Sequence, residues 1–348
     1  MVKMGLIGYG YWGKNLLRNM MSSQKIEVVG VVDSDPEHRS LAQHTYSALK
    51  TYNSIEELIK AEDFEAMVIA TPPASHKHLA VECLEKGLHV LVEKPLALST
   101  EECVEILQAA EKAGKNVMVD HTFVYNSPVI HLNEQINDNE LGSLLYYDSV
   151  RVNLGGFQPQ VNVLWDLAPH DLSILDFWSG GDMPEMVQAT GVKHFGSSTE
   201  NMCYVNMKYA NGFNAHLHLN WAAPFKSRQV IIAGDKKMAV YDDTQPMEKI
   251  KIYDKTVQLD QADDTDFRVN YRAGSMFAPA IKQKEALLSM VEEFANSIAD
   301  NRVPLTDGIA GSKVVQVLEA LSKSLYNDGR PEDIVNQFFA QSGSKKTA

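Results

Sequence analysis

Cysteine is scarce in this 348-residue chain, and the three present, Cys83, Cys103 and Cys203, are widely separated. That odd, scattered set gives neither a disulfide framework nor a zinc-ligand spacing, and it fits a reducing compartment. Positive charge is also in deficit: 32 Lys and Arg stand against 45 Asp and Glu, a net charge of -13. A nucleic acid or an anionic membrane surface would need a concentrated basic patch, so neither is expected as a partner. No apolar run approaches the ~20 residues of a membrane-spanning helix. The opening MVKMGLIGYG runs straight into a strand-like segment without the pattern of a secretory leader, which makes the cytoplasm the expected location.

What is present is a change of period. Residues 1–123 alternate short apolar runs, KMGLIG, IEVVGVVD, EAMVIAT, LHVLVE and NVMVDHTF, with segments of helical spacing such as ASHKHLAVECLEKGL and STEECVEILQAAEKAGK. Strands apolar on both faces, alternating with amphipathic helices, predict a doubly wound parallel sheet of Rossmann type. Ser99 or Thr100 is the expected cap of the second helix. From residue 124 to about 340 the pattern becomes polar and apolar by turns, as in YYDSVRVN, NMCYVNMKYA, NAHLHLNWA and KKMAVYDD, with turn signals at NG 211–212 and GDKK 234–237. This predicts a second, α+β domain with a large, open, mostly antiparallel sheet. Two late helices, near 284–301 and 307–325, have no place in that meander and are expected over the domain junction. Residues 341–348 read as a disordered tail.

The stretch LIGYGYWG places Gly8, Gly10 and Gly13 in a G-x-G-x-x-G spacing after a strand and before a helix. Glycines there permit a tight turn and let backbone N–H groups approach a pyrophosphate at the helix N-terminus. Tyr11 and Trp12 open that helix beside the expected phosphate site. Asp33 ends the second strand about 20 residues on, where a carboxylate would bind the adenosine ribose hydroxyls and repel a 2′-phosphate, so NAD(H) is expected over NADP(H).

Two further stretches carry chemistry. In VEKPLALS, Lys94 lies at the carboxyl end of a strand, the edge of an α/β sheet where ligands bind, and Pro95 holds it extended; read alone, it is equally an exposed strand-end lysine. In LWDLAPHDLSILDFW, Asp166 and His170 are four apart, and Pro169 suits the first turn of a helix. A histidine at a helix N-terminus would favour neutral imidazole and serve as a general base. Asp166 would pull the other way and could orient the ring, or simply cap the helix. His216 and His218 alternate on one strand face, and with no third ligand they read as a polar sheet face, so no metal is expected.

GYGYWG, ATPPASH at 70–76, EKP at 93–95 and the D-x-x-x-H pair at 166 and 170 together resemble the Gfo/Idh/MocA family of glucose-fructose oxidoreductase, inositol dehydrogenase and their relatives, from residue 1 to about 330. The resemblance implies a nicotinamide cofactor and an open C-terminal sheet that joins subunits into a homodimer or homotetramer. It also implies Lys94 and His170 beside the nicotinamide, with Thr71, Pro72 and Glu93 lining the cofactor cleft. His76 and His78 start a helix after the ATPP turn and are expected either to face solvent or to adjoin the cofactor. In such a site His170 is the expected acid/base, Lys94 a hydrogen-bond donor to the same oxygen and the competing proton carrier, and Asp166 a binder of a neighbouring hydroxyl. Tyr125, Asn126, Asn153, Trp221, Lys226 and Arg228 are candidates to reach the substrate. GYWGKN and WDLAPHD are most similar to members of nucleotide-sugar, surface-polysaccharide or amino-sugar biosynthesis, in which a sugar C3 hydroxyl is oxidised or a 3-keto sugar reduced. An inositol or free-aldose dehydrogenase, a redox-neutral NAD-using glycosidase and a cofactor-sensing regulator are the rival expectations.

Overall fold

The computed structural model describes residues 1–157, 161–263 and 266–335, so the expected tail lies outside the described residues. The chain divides into two compact units, residues 1–125 with 284–316, and residues 126–283 with 317–348.

In the first unit the chain runs β1 (Val2–Ile7), α1 (Tyr11–Ser22), β2 (Ile26–Val32), α2 (Pro36–Thr45), β3 (Thr51–Tyr52), α3 (Ile55–Ala61), β4 (Ala66–Ile69), α4 (His76–Glu85), β5 (His89–Glu93), α5 (Thr100–Ala113) and β6 (Val117–Asp120). The six strands are all parallel, in the order β3-β2-β1-β4-β5-β6. That is the Rossmann order, with its reversal between β1 and β4. Every residue of β4 is buried, as expected of a central strand with helices on both faces. Helix starts follow side-chain caps: Asp35 accepts from the Glu37 N–H ahead of Pro36, and Ser99 accepts from the Glu102 N–H at 3.1 Å.

In the second unit α6 (Ser127–Asn137), β7 (Leu144–Leu154) and α7 (Val163–Trp178) precede β8 (Met186–Val192), β9 (Met202–Lys208), β10 (Asn214–Asn220), β11 (Ala222–Gly234), β12 (Met238–Asp242), β13 (Ile250–Asp263) and β14 (Asp266–Phe277). The late helices are α8 (Ala286–Ala299), itself part of the first unit, where it packs on α1, and α9 (Gly308–Tyr326); β15 (Glu332–Asp333) ends the described chain. The division between units falls within α9.

The nine-stranded sheet has the order β14-β13-β12-β11-β7-β10-β9-β8-β15, antiparallel except for the β7–β10 pair. Alternation decides its faces: Cys203, Val205 and Met207 on β9 and Ala215, Leu217 and Leu219 on β10 are buried, and α7 packs against β7, β9 and β10. Tyr204, His216 and His218 share the other face, where Tyr204 stacks on His218 at 4.7 Å and His216 Nδ1 lies 2.9 Å from Asp148 Oδ1.

Among the described residues no helix is long and apolar enough to cross a membrane.

Candidate functional site

A cavity of about 680 Å³ opens at the carboxyl edge of the parallel sheet, bordered by Gly8, Gly10, Asp33, His38, Thr71 and Pro72 among others. Gly8 adopts a φ of +90°, and a Cβ there would meet the Ala70 carbonyl oxygen at 2.6 Å. A Cβ on Gly13 would overlap the Gly8 carbonyl, so this glycine sets the approach of α1 to the turn. Gly10, the residue before α1, has open space where a Cβ would stand. The start of α1 therefore leaves room where a phosphate group would meet the first N–H groups of the helix.

Asp33 is fixed for its place: the Tyr9 N–H donates to Oδ2 at 2.7 Å and the Asp35 N–H to Oδ1 at 2.9 Å, while His38 Nδ1 stands 3.0 Å from Oδ2. Arg39, a natural partner for a 2′-phosphate, is instead bound to the carbonyls of Asp33 and Ser34 and to Asn53. Glycine turn, carboxylate and cavity together fit a dinucleotide.

Thr71 and Pro72 line this cavity. Thr71 Oγ1 is 2.6 Å from Ser75 Oγ. Tyr11 and Trp12 stand exposed in the first turn of α1. His76 is fully buried, its ring between two backbone carbonyls, so it supports the cleft from behind instead of lining it.

Lys94 follows β5, and Lys94–Pro95 is a cis peptide. Its N–H donates to Glu93 Oε2 at 3.1 Å. Glu93 is in register with Asp120 of β6, and both are buried. Burial and the charge of Asp120 raise Glu93 well above the ordinary carboxylate range, with Lys94 opposing them; burial also raises Asp120. Thr122 Oγ1 donates to Asp120. Next to it His121 is 2 % exposed, with no hydrogen bond to either ring nitrogen among the described residues. Burial, reinforced by the Lys94 charge, lowers its pKa to about 3, so it is neutral. Sequence reasoning missed Asp120 and His121. The signal for them was their place at the same sheet edge, one strand over from Glu93.

Tyr125 is buried, its hydroxyl 2.9 Å from Thr306 Oγ1, which in turn donates to the Val119 carbonyl at 2.7 Å. It ties the 306 segment to β6. Asn126 donates to the Tyr241 hydroxyl in the second unit.

The second unit places Asp166 and His170 on α7, but not as the sequence suggested. The helix starts at Val163, capped by Asn162 Oδ1 accepting the Trp165 N–H at 3.1 Å. Asp166 thus lies in the first turn, Pro169 within the helix, and His170 at its middle. The expectation that His170 feels the positive end of the dipole is overturned, because that effect fades within the first turn. Pro169 instead has no N–H to give the Trp165 carbonyl. Asp166 Oδ2 accepts a 3.0 Å hydrogen bond from Trp221 Nε1, and Trp221 is buried. Beside His170, Asp171 is gripped by Arg151 (Nε to Oδ2 2.6 Å, Nη2 to Oδ1 3.1 Å) and by Ser149 at 2.9 Å. These bonds, all buried, fix the middle of α7 on β7.

Asn153 is half-buried near the end of β7. Lys226 is exposed on β11, and Arg228 on the same strand pairs with Asp243 at 3.1 Å.

Residues 2–121 match the family model of the oxidoreductase family with an NAD-binding Rossmann fold, and residues 129–240 match the GFO/IDH/MocA C-terminal domain. An oxidoreductase of Streptococcus pneumoniae is 30% identical over 68% of this chain and 67% of its own. The 2,7-anhydro-N-acetylneuraminate hydratase of Mediterraneibacter gnavus is 30% identical over 66% of this chain and 64% of its own. The UDP-N-acetylglucosamine 3-dehydrogenase of Acidithiobacillus ferrooxidans is 25% identical over 90% of this chain and 94% of its own. The solved structure of that dehydrogenase superposes with a TM-score of 0.79 over 94% of this chain and 98% of its own, at 22% identity, a likeness of fold.

Proposed function

This chain belongs to the Gfo/Idh/MocA oxidoreductase family, and on that premise we propose that it is an NAD-dependent dehydrogenase acting on a secondary hydroxyl of a sugar derivative, C3 of a nucleotide sugar or sugar phosphate being the best fit. The observation that carries the reading is the glycine-turned cavity ending in a fixed Asp33, in a chain that also holds Lys94, Asp166 and His170. The preference for the 3-position rests on the Acidithiobacillus dehydrogenase, the relative named above that aligns along almost the whole chain. NAD(H) is favoured over NADP(H) because Asp33 presents a carboxylate and Arg39 is engaged elsewhere.

A dinucleotide held by the glycine turn at Gly8, Gly10 and Gly13 and by Asp33 would supply the hydride acceptor or donor. The chain supplies the rest. His170 takes the hydroxyl proton as the carbon gives up its hydride, and returns it in the reverse direction. Lys94 donates a hydrogen bond to the same oxygen, stabilising the charge that develops there. Asp166, steadied by Trp221, binds a neighbouring hydroxyl. Tyr204, Leu145, Tyr146, Tyr271, Met276 and Phe277 are large apolar or aromatic side chains exposed on the second unit's strands, and they support an oligomer formed through that sheet. The scarcity and burial of the three cysteines support a reducing compartment, the cytoplasm.

One observation favours a second reading. Hydratases of 2,7-anhydro-N-acetylneuraminate are among the relatives, at 30% and 26% identity. A hydration changes no net oxidation state, so such a reaction at this site would take a hydride and give it back. Accumulation of reduced nicotinamide during turnover distinguishes the first reading from the second.

A further inference from the structure

His76 opens α4 with its side chain fully buried. Its Nδ1 lies 2.8 Å from the Pro95 carbonyl oxygen and its Nε2 2.8 Å from the Thr71 carbonyl oxygen. Both partners are carbonyls and only accept, whereas a neutral imidazole has a single N–H to offer. A ring nitrogen lone pair held 2.8 Å from a carbonyl oxygen is repelled by it, so short contacts on both sides require a proton on each nitrogen. The two carbonyls belong to separate turns. Thr71 borders the dinucleotide cavity, and Pro95 follows Lys94 directly.

We propose that His76 is a positioning residue that fastens the cofactor-side turn at Thr71 to the turn carrying Lys94, each ring nitrogen donating to one backbone carbonyl. The proposal rests on the dehydrogenase reading for the roles of the two turns, but the link itself does not. Burial opposes the second proton more than the two carbonyls favour it, so the ring's pKa lies below its ordinary value and the two bonds coexist on the acid side of neutrality. The ionisable groups on the elements packed about α4 are Glu101, Glu102, Glu105, Glu111 and Lys112 of α5 and His89 and Glu93 of β5. Lys94 adjoins Pro95, and α4 itself carries Lys77, His78, Glu82 and Glu85. As pH rises through the ring's pKa one of the two bonds is lost, and the two turns are no longer held to one another.

Asparagine sets its amide nitrogen where Nδ1 stands, and glutamine sets its own where Nε2 stands, so two variants, each compared with the wild type below the ring's pKa, separate the two bonds. His76→Asn keeps the Pro95 bond and loses Thr71: the Kd for NAD, measured by calorimetry, rises about tenfold while kcat, on the sugar that nicotinamide reduction identifies, stays within about twofold. His76→Gln keeps the Thr71 bond and loses Pro95: kcat falls about tenfold and Kd stays within about twofold. Equal shifts of Kd and kcat in both variants, or a change of Tm alone, would overturn the proposal. In the wild-type protein ¹⁵N-histidine NMR on the acid side of neutrality shows a proton on both nitrogens of this ring, one of them lost as pH rises; one proton only throughout would also overturn it. Calorimetry and NMR need no turnover, so a protein without dehydrogenase activity would sink the functional reading and leave the clamp testable.

Discussion

Trp221 Nε1 donates a 3.0 Å hydrogen bond to Asp166 Oδ2, joining the strand-end residue between β10 and β11 to the first turn of α7. A carboxylate held by a buried indole presents its other oxygen in one direction. Trp221→Phe removes that donor while keeping most of the ring's packing, and a hydrogen bond to a charged group contributes about 1.5–3 kcal/mol. The expected result is a fall of about tenfold or more in kcat/KM with NAD binding unchanged, read from steady-state kinetics and calorimetry.

Lys94→Ala and His170→Ala should each lower kcat about a hundredfold or more, the scale of a lost proton-transfer partner, with the Kd for NAD kept. Loss of cofactor binding in either variant would refute the roles given to them.

Asp33→Ser exchanges the ribose-facing carboxylate for a small neutral group. The ratio of kcat/KM with NAD to that with NADP should fall, since a 2′-phosphate no longer meets a negative charge. An unchanged ratio would remove Asp33 from the ribose site.

Glu93 gives a stability prediction with a definite sign. Its pKa is raised in the folded state, so its favourable contribution is complete below its ordinary value and is lost as pH rises through the folded one. Glu93→Gln keeps the shape and removes the ionisation, and should raise Tm at pH 8 relative to the wild type while the difference shrinks toward pH 4. The opposite trend in thermal melts would show that Glu93 is ionised in place. His121 acts in the acid range. With its pKa lowered to about 3, stability falls as pH drops from its ordinary value near 6.5 toward 3, and His121→Phe should flatten that slope.

Breaking the Arg151–Asp171 pair leaves a buried charge without its partner. Asp171→Ala should cost about 3–5 kcal/mol in urea unfolding, with the largest loss of activity expected where His170 depends on α7 being held.

Much of this was legible in the residues. The parallel sheet was written in runs such as AMVI, apolar throughout because both faces are covered, and the glycine turn in a spacing that only glycine satisfies at Gly8. The start of α7 was misplaced: Pro169 looks like a first-turn proline and drew the start toward itself, although the true cap, Asn162, lies seven residues earlier at the end of GGFQPQVN, whose glycines and proline are loop signals. The β13–β14 hairpin was missed because residues 271–277 of its second strand are exposed and leave no buried stripe to read. Glu93, Asp120 and His121 take their character from burial and from strand register, and a sequence states neither.

Hydride transfer from a sugar hydroxyl to a nicotinamide leaves a direct optical trace. The most direct measurement is the absorbance of reduced nicotinamide in mixtures of the purified protein, NAD and, in turn, inositols, aldoses, sugar phosphates, and UDP- and dTDP-sugars, each repeated with the corresponding 3-keto sugar and NADH. Growth of the band with one class of sugar, or its loss with the matching ketone, is the predicted result, strongest for a nucleotide sugar or sugar phosphate. No change with any of them, while calorimetry shows NAD bound, would contradict the claim.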